Sequence, residues 1–332
     1  MKRIGVIGGG AWGTALAALS ASNDPGQGDT LLWARNAEVV DDINAQHRNT
    51  LYLPDVELPA NLKATSDLAA LKDCDALVLA VPAQTLRTFA QEIWKTLPGH
   101  APLVIAAKGV EIGSGKLPGE VLHDVLPARP VAILTGPTFA SEVARGLPAA
   151  ATLACADATL GAALVQRLGR PTFRPYLSDD VTGAQIGGAV KNVLAIACGI
   201  VMGRKLGDNA RAALITRGLA EMSRLGLSLG AKRETLMGLS GLGDLVLTCT
   251  GPQSRNLSLG IALGEGKSLA EVMAGRRTVA EGVHTAQAID TLARAHHIEM
   301  PICQAVDAVL HRGAGIEAML TALLARPFKI ED

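Results

Sequence analysis

A strand-like run that leads straight into a Gly-x-Gly-x-x-Gly motif constrains the fold of this chain more than any other feature. Residues 4–7 read Ile-Gly-Val-Ile, the motif glycines follow at Gly8, Gly10 and Gly13, and an apolar, helix-like segment continues to Ser20. In a dinucleotide fingerprint the first glycine permits a tight turn, the second lets the pyrophosphate approach the backbone, and the third lets the helix lie against the strand. The flanking pattern favours this interpretation over a glycine-rich surface turn. We predict a phosphate site at the N-terminus of the first helix.

Further strand-like segments alternate with helical patterns through the first half of the chain. They cover residues 30–34, 76–81, 103–107 and 131–135, and segments 147–154 and 171–176 are candidates to continue the sheet. This alternation predicts an α/β fold, a Rossmann-type parallel sheet with helices on both faces. Beyond about residue 180 nearly every segment is helix-like, with Asp208 expected to cap a long helix over residues 212–229. We predict a dinucleotide-binding domain over residues 1–180 and an all-helical substrate domain over residues 181–332.

Unusual residues follow several of the predicted strands. Arg35, Pro82, Lys108 and Gly136 each stand at or just beyond a carboxyl end, which is the edge where open parallel sheets bind ligands. NAD-preferring sites usually carry an Asp or Glu near the end of the second strand, whereas this chain has Arg35, whose guanidinium can pair with a 2′-phosphate. We therefore expect NADP(H) to be preferred and NAD(H) to be accepted. The alternative is that Arg35 is a solvated surface residue.

Composition excludes several other classes of protein. The 332 residues carry no formal net charge and only 3% aromatic side chains, which counts against nucleic acid as a partner. Five cysteines are scattered without a C-x-x-C pair or metal-ligand spacing, so we expect buried, reduced thiols and no metal. The first strand begins by Ile4, which leaves no room for a signal peptide, and the most apolar later stretch contains Lys191. We expect a cytoplasmic protein without a membrane span.

Lys191 stands in an unusual helical stripe. Ala184, Gly187, Gly188 and Cys198 would share its face of a helix, so this face carries almost no side-chain bulk. Two glycines weaken a helix by roughly 2 kcal/mol, which close approach of another group should offset. A lysine in this setting would be partly desolvated, and desolvation lowers its pKa and suits it to proton transfer. Tight helix packing with Lys191 reaching to solvent is an equally acceptable interpretation of the pattern.

Two adjacent segments of the second half carry the remaining candidate chemistry. Asp244 and Thr248 are four residues apart at the start of an apolar helix; Asp244 either complements the helix dipole or orients Lys191 or a substrate hydroxyl. Ser254 fits an N-cap, with Arg255 and Asn256 in the first turn of the next helix. A guanidinium beside free backbone N–H groups is suited to a phosphate monoester. A capped surface helix explains this second segment equally well.

Taken together, these segments resemble the bacterial NAD(P)-dependent glycerol-3-phosphate dehydrogenases over essentially the whole chain. The resemblance rests on residues 8–13, 108–109, 136–140, 188–192, 209–218 and 241–256. It implies reduction of dihydroxyacetone phosphate to sn-glycerol 3-phosphate with NADPH or NADH, which supplies the backbone of phospholipids. Homodimer formation is a further expectation, because the helical half offers surface for it.

The resemblance also implies roles for individual residues. Lys191 matches the lysine that transfers a proton at the C2 oxygen, and Lys108 and Asp244 are expected to take part in catalysis beside it. Positions that match the family's substrate contacts are Lys108, Gly136, Thr138, Lys191, Asp244, Ser254, Arg255 and Asn256. Positions that match its cofactor contacts are Gly8, Gly10, Ala11, Trp12, Gly13, Arg35, Lys108, Ala140, Arg255, Val279 and Glu281.

This chain departs from the family pattern at two positions. Ala11 and Thr138 stand where serine is common; backbone amides bind most of the pyrophosphate, and Thr138 keeps the hydroxyl, so both contacts should survive. Two alternatives to the implied function remain. An arginine that binds a carboxylate resembles one that binds a phosphate, so a related two-domain hydroxy-acid dehydrogenase is one of them. The other is a non-catalytic NADPH-binding regulator, since a fold alone does not determine function.

Overall fold

The computed structural model describes residues 1–21, 29–97, 99–274 and 280–327, and its first half is built on one eight-stranded sheet. The strand order is β3-β2-β1-β4-β5-β6-β7-β8. The strands are β1 Arg3–Ile7, β2 Asp29–Trp33, β3 Lys63–Thr65, β4 Ala76–Leu79, β5 Leu103–Ile105, β6 Val131–Thr135, β7 Ala149–Cys155 and β8 Phe173–Ser178. The fold class predicted from the sequence is confirmed, although the three-residue strand β3 was not expected.

The sheet is parallel from β3 to β6, but β7 runs antiparallel to β6 and β8 runs parallel to β7. The reversal follows from the connection between β6 and β7, which contains only the five-residue helix α5, Ala140–Ala144. At about 1.5 Å per residue such a helix is too short to return the chain along the length of a strand. The chain therefore enters β7 from the carboxyl edge of β6, so that α5 stays beside the predicted ligand edge.

Side-chain alternation in the strands produces a core on each face of the sheet. Ile4, Val6 and Val78 point to one face, whereas Ile7 and Leu79 point to the other, and all five are fully buried. The helices that cover the two faces are α1 Ala11–Ser20, α2 Ala37–Gln46, α3 Leu86–Thr96, α4 Pro118–Val125 and α6 Ala158–Leu168. Both faces are covered, as a parallel sheet requires.

The second half of the described chain consists of helices around one central helix, α7, which spans Val181–Gly203. The others are α8 Asp208–Ser228, α9 Arg233–Leu236, a π-helical turn Leu239–Gly243, α10 Asp244–Thr250, α11 Arg255–Gly264, α12 Leu269–Ala274, α13 Glu281–Ala295, α14 Pro301–His311 and α15 Ile316–Leu324. Within the described ranges, α7 alone is long and apolar enough to cross a membrane, with a mean hydropathy of 1.7 over its best window. Other parts of the chain bury 89% of that window, as in the core helix of a folded domain.

Glycines let α11 lie directly on α7. A Cβ atom on Gly199 would come within 2.7 Å of the Cα of Gly260, and one on Gly203 within 2.9 Å of the Cα of Gly264. These separations are too short for any side chain, so the two helix backbones touch at two successive turns. The propensity cost of four helical glycines is offset by dispersion contacts between the backbones.

The helix starts are defined by caps, one of which differs from the sequence prediction. Asp180 caps α7 by accepting a hydrogen bond from Gly183 N at 2.7 Å, and its second carboxylate oxygen accepts one from Lys232 N at 2.8 Å. The prediction that Asp208 caps the next long helix is wrong by one residue, because Gly207, at φ 90°, occupies the cap. Asp208 lies in the first turn instead and forms an ion pair with Arg211 at 2.8 Å.

Candidate active site

The glycine turn has the form that the sequence predicted. Gly8 adopts φ +126°, and a side chain on Gly13 would overlap the carbonyl oxygen of Gly8. By contrast, a Cβ atom on Gly10 would meet nothing within 4 Å, which leaves open space over the backbone. Gly10 is also the N-cap of α1, and within the described residues no side chain caps this helix, so its first N–H groups can bind an anion.

Other predicted cofactor positions lie around this turn. Ala11 and Ala140 are the first residues of α1 and α5, two helices that pack together. The indole nitrogen of Trp12 is buried and has no hydrogen-bond partner within the described chain. Arg35 follows β2 and is exposed. Val279 lies outside the described residues.

The centre of the site is the carboxylate of Asp244, which binds two ammonium groups. Its Oδ2 accepts a hydrogen bond from Lys108 Nζ at 2.6 Å, and its Oδ1 lies 3.1 Å from Lys191 Nζ. Lys108 also donates to the carbonyl oxygen of Gly136 at 3.2 Å, and Lys191 donates to the hydroxyl of Thr248 at 2.9 Å. Thr248 in turn donates to Asp244 Oδ1 at 3.2 Å. The strand edge and the helical half thus meet at one carboxylate.

Burial and charge shift the ionisation of this cluster. The pKa of Lys191 is lowered from 10.5 to about 8, chiefly by burial and to a smaller extent by the positive charge of Lys108, while the negative charge of Asp244 acts in the opposite direction. Burial alone would raise the pKa of Asp244, but Lys108 and Lys191 outweigh it and hold the pKa below its ordinary value. The carboxylate is therefore ionised, and Lys191 titrates close to neutral pH.

The bare stripe of α7 is what allows these groups to meet. A side chain on Gly187 would overlap the carbonyl oxygen of Ser240, so the π-helical turn before Asp244 rests directly on α7. A Cβ atom on Gly188 would lie 2.9 Å from the hydroxyl of Thr135 and 3.4 Å from the side chain of Lys108. Lys191 is only 7% exposed. The interpretation in which it extends to bulk solvent is therefore wrong, and tight packing and burial of the amine occur together.

The second candidate segment forms the N-terminus of α11. Ser254 is the N-cap, and its hydroxyl accepts a hydrogen bond from Leu257 N at 3.2 Å. Arg255, the first helical residue, is exposed, whereas Asn256 is buried. The side chain of Asn256 donates to Asn192 Oδ1 at 2.9 Å and accepts from Gly282 N at 3.0 Å. It therefore joins the start of α11 to the residue after Lys191 and to the start of α13.

Glu281, the first residue of α13, belongs to the same electrostatic environment. Burial raises the pKa of Glu281. The positive charges nearby act in the opposite direction, and their effect decreases in the order Arg255, Lys191, Lys108. The structure thus brings Lys108, Lys191, Asp244 and Gly136 into direct contact and Glu281 into their field. Thr138, whose hydroxyl donates to the carbonyl oxygen of Gly136 at 3.2 Å, lies at the same strand end.

Two residues near the cluster were not among the sequence candidates. Thr135 ends β6, and its buried hydroxyl has no partner within the described ranges. Asn192 positions Asn256 from the turn next to Lys191. Thr135 directly precedes Gly136, so a hydroxyl at a strand's carboxyl end was an available signal. No sequence spacing links Asn192 to Asn256, because their contact depends on how α7 and α11 pack.

Comparison with known families accounts for both halves of the chain. The model of the NAD-dependent glycerol-3-phosphate dehydrogenase N-terminus matches residues 3–161, and the model of the corresponding C-terminus matches residues 180–321. A glycerol-3-phosphate dehydrogenase [NAD(P)+] of Rhodospirillum rubrum is 58% identical, covering 100% of this chain and 94% of its own. The protein of the same name from Parvibaculum lavamentivorans is 53% identical, covering 99% and 98%.

A solved structure agrees with the sequence relatives. The crystal structure of glycerol-3-phosphate dehydrogenase from Coxiella burnetii superposes with a TM-score of 0.93 at 40% identity, covering 98% of this chain and 99% of that one. Sequence and fold thus agree along nearly the whole chain. The chain therefore belongs to the NAD-dependent glycerol-3-phosphate dehydrogenase family.

Proposed function

We propose that this protein is an NAD(P)-dependent oxidoreductase that interconverts dihydroxyacetone phosphate and sn-glycerol 3-phosphate. Two relatives that share more than half of its residues are named glycerol-3-phosphate dehydrogenase [NAD(P)+], and the match covers nearly the whole length of each. This agreement favours the proposal over a hydroxy-acid dehydrogenase and over a regulator without catalysis. The observation that carries it is the buried Lys108–Asp244–Lys191 cluster.

The charge of the cluster suits reduction of a ketone. Two ammonium groups and one carboxylate leave a net charge of +1, which stabilises negative charge that develops on a carbonyl oxygen. Each ammonium has three donors. Lys191 uses two of them on Thr248 and Asp244, and Lys108 uses two on Gly136 and Asp244. Within the described ranges, one donor of each lysine thus remains for the oxygen of the substrate.

Lys191 is the proton donor in this proposal. With a pKa of about 8 it is protonated at neutral pH, yet it releases the proton far more readily than an exposed lysine does. During reduction it protonates the C2 oxygen, and during oxidation the neutral amine removes the proton from the C2 hydroxyl. Lys108 and Asp244 hold the amine in place and keep the local charge balanced before and after the transfer.

The start of α11 is the proposed phosphate site. Arg255 supplies a guanidinium, and the N-terminal turn of the helix favours an anion. The amide of Asn256 keeps a second N–H besides the one given to Asn192, and the hydroxyl of Ser254 keeps its proton while its oxygen accepts from Leu257 N. Thr138 and Gly136 are proposed to contact the substrate from the strand side.

The glycine turn is the proposed cofactor site. The open space over Gly10 and the start of α1, which has no side-chain cap among the described residues, fit the pyrophosphate end of a dinucleotide, and Trp12 lies in the first turn of the same helix. When bound there, a nicotinamide cofactor supplies the hydride. We propose that Arg35 favours NADP(H), since an exposed guanidinium after β2 suits a 2′-phosphate. The remaining proposed contacts with the cofactor are Gly8, Gly13, Ala11, Ala140, Lys108, Arg255, Val279 and Glu281.

Three broader features belong to the same proposal. The product would supply phospholipid synthesis. The protein would act in the reducing cytoplasm, which agrees with five free, buried cysteines. It would also form a homodimer through the helical half, which light scattering coupled to size-exclusion chromatography can test.

The deciding experiment follows the absorbance of the reduced nicotinamide after addition of dihydroxyacetone phosphate or of 2-keto acids. We expect turnover with dihydroxyacetone phosphate and none with the 2-keto acids. Lys191→Ala should lower kcat by about 10²–10⁴-fold, the range for a lost general acid, while NADPH binding measured by calorimetry stays nearly intact. Lys63→Ala, at an exposed lysine of the edge strand β3, is the matched control. An unchanged kcat in Lys191→Ala would remove this residue from the mechanism.

A further inference from the structure

Three consecutive glycines form the turn between β1 and α1. A Cβ atom on Gly8 would lie 2.6 Å from the carbonyl oxygen of Ala80. One on Gly9 would lie 2.4 Å from the Cβ atom of Ala34, so neither position has room for a side chain. Glycines leave the backbone dihedral angles free, and the peptide between Gly9 and Gly10 can rotate so that its carbonyl oxygen and its N–H group exchange sides. A contact from outside the turn is therefore needed to favour one orientation.

Asn49 makes this contact from the segment that follows α2. Its side chain is fully buried, and its Nδ2 donates hydrogen bonds to the carbonyl oxygen of Gly9 at 2.9 Å and to the hydroxyl of Thr14 at 2.8 Å. Thr14, on α1, donates in turn to the same carbonyl oxygen at 3.4 Å. Two side chains from different segments thus bind one carbonyl oxygen of the glycine turn.

The segment that carries Asn49 is itself held in place. Asp42 Oδ2 accepts a hydrogen bond from Thr50 N at 2.6 Å, which ties the segment to α2. The carbonyl oxygen of Asn49 accepts another from Leu53 N at 2.7 Å. The amide of Asn49 therefore meets the turn from a supported backbone, as a side chain that orients another group requires.

The direction of the Gly9 carbonyl decides which polar group the turn presents to a ligand. In a trans peptide the C=O and N–H groups point to opposite sides, and the described chain contains no cis peptide bond. Asn49 is buried, whereas Gly9 and Gly10 are partly exposed. With its oxygen turned inward to Asn49, this peptide directs the N–H of Gly10 away from Asn49. A reversed peptide would turn a carbonyl oxygen to the accessible side, where it repels an anion.

We propose that Asn49, supported by Thr14, is a positioning residue that holds the Gly9–Gly10 peptide in the orientation that admits the pyrophosphate of the cofactor. The inference rests on the cofactor site proposed above. Asn49 acts through the turn: it raises the fraction of the free protein that is ready to bind, and the apparent affinity is proportional to that fraction. Bound NADPH keeps the turn in place by itself, so kcat at saturating NADPH does not depend on Asn49.

Calorimetric titration with NADPH tests the inference. We expect the Kd to rise about tenfold in Asn49→Ala, which loses two neutral hydrogen bonds, while kcat at saturating NADPH and the KM for dihydroxyacetone phosphate stay as in the wild type. Asn44→Ala is the matched control, because Asn44 on α2 forms two hydrogen bonds with the backbone of Ala64, at 2.9 and 3.0 Å. It should leave the Kd unchanged. A wild-type Kd in Asn49→Ala, or an equal rise in Asn44→Ala, overturns the inference.

A second variant covers the case in which Asn49→Ala does not fold. Thr14→Val keeps the shape of a fully buried side chain and removes the hydroxyl that joins Asn49 to Gly9. The Kd should rise about threefold or more, as for one neutral hydrogen bond, and Thr14→Ser should restore it. An unchanged Kd in Thr14→Val overturns the inference and leaves the proposed dehydrogenase function intact. Absence of NADPH binding in the wild type would instead overturn both.

Discussion

One carboxylate oxygen of Asp244 lies 3.1 Å from the ammonium nitrogen of Lys191, and both side chains are buried. An isolated buried ammonium would lose its proton, whereas a fully balanced ion pair would keep it too firmly for catalysis. Here one carboxylate is shared between Lys191 and Lys108, so neither amine is fully compensated. The shared carboxylate explains why Lys191 stays charged near neutral pH and still titrates at about 8.

The pKa of Lys191 predicts opposite pH dependences for the two reaction directions. Its pKa is lowered from 10.5 to about 8, so the ammonium form is present below this pH and is lost as the pH rises through it. Reduction needs the ammonium and should decline above about pH 8, while oxidation needs the neutral amine and should increase over the same interval. Measuring kcat in both directions from about pH 6 to about pH 10 checks this. If kcat changed with pH in the same direction for both reactions, Lys191 would not be the group that transfers the proton.

Thr248→Val should shift the decline of the reduction rate to lower pH. The hydroxyl of Thr248 accepts a hydrogen bond from Lys191 and donates one to Asp244, and a bond to the charged form of a lysine favours that form. Removing it lowers the pKa of Lys191, so the reduction rate should begin to fall at a lower pH. Thr248→Ser should restore the original profile. Thr250→Val on the same helix, at an exposed residue, is the control that should change nothing; an unshifted limb in Thr248→Val argues against the hydrogen-bonded relay.

Arg255→Ala should raise the KM for dihydroxyacetone phosphate more than the KM for NADPH. A charge-assisted hydrogen bond contributes about 1.5–3 kcal/mol, which corresponds to a roughly 10- to 100-fold change in KM. Arg255→Lys keeps the charge and should recover part of the affinity, since it lacks the planar fork. Initial-rate kinetics of both variants and of Arg174→Ala, a surface control, decide the matter. If only NADPH binding weakened, the phosphate assignment would be wrong.

Arg35→Asp should shift the cofactor preference towards NADH. A carboxylate at the end of β2 repels a 2′-phosphate and can accept hydrogen bonds from the ribose hydroxyls. We expect kcat/KM for NADPH to fall by about 100-fold, while that for NADH changes by less than about 10-fold. Kinetics with each cofactor at saturating substrate test this expectation. An equal loss with both cofactors would count against a 2′-phosphate contact at this residue.

The sequence predicted those parts of the molecule that depend on local pattern. The glycine turn, the Ser254 cap and every strand except β3 depend on patterns among neighbouring residues, and they appear as expected. The reversed direction of β7 was not predicted, because the apolar composition of segment 147–154 does not indicate whether the strand runs parallel or antiparallel to its neighbour. Its direction is set by the short connection after β6, through α5.

The geometry of the candidate site could be predicted only in part. The small side chains around Lys191 indicated close packing and a desolvated amine, but they did not identify the partner. That Asp244 lies between two lysines depends on Lys108, which is 136 residues away in the chain. The burial of Asn256 and its bond to Asn192 depend likewise on tertiary packing. Contacts between residues so far apart in the chain leave no periodic pattern in a single sequence, so they could not be predicted from it.

The backbone contact between Gly199 and Gly260 has a consequence for which substrates the enzyme can accept. Lys191 lies on α7, and the proposed phosphate site is the first turn of α11, so the two helices carry the groups that would hold opposite ends of the substrate. Where two main chains already touch, the gap between them can neither narrow nor widen without breaking helix–helix contacts. The separation from proton donor to phosphate anchor is thus fixed in advance, and a ketone with one more carbon between its carbonyl and its phosphate would place its carbonyl oxygen out of reach of the amine.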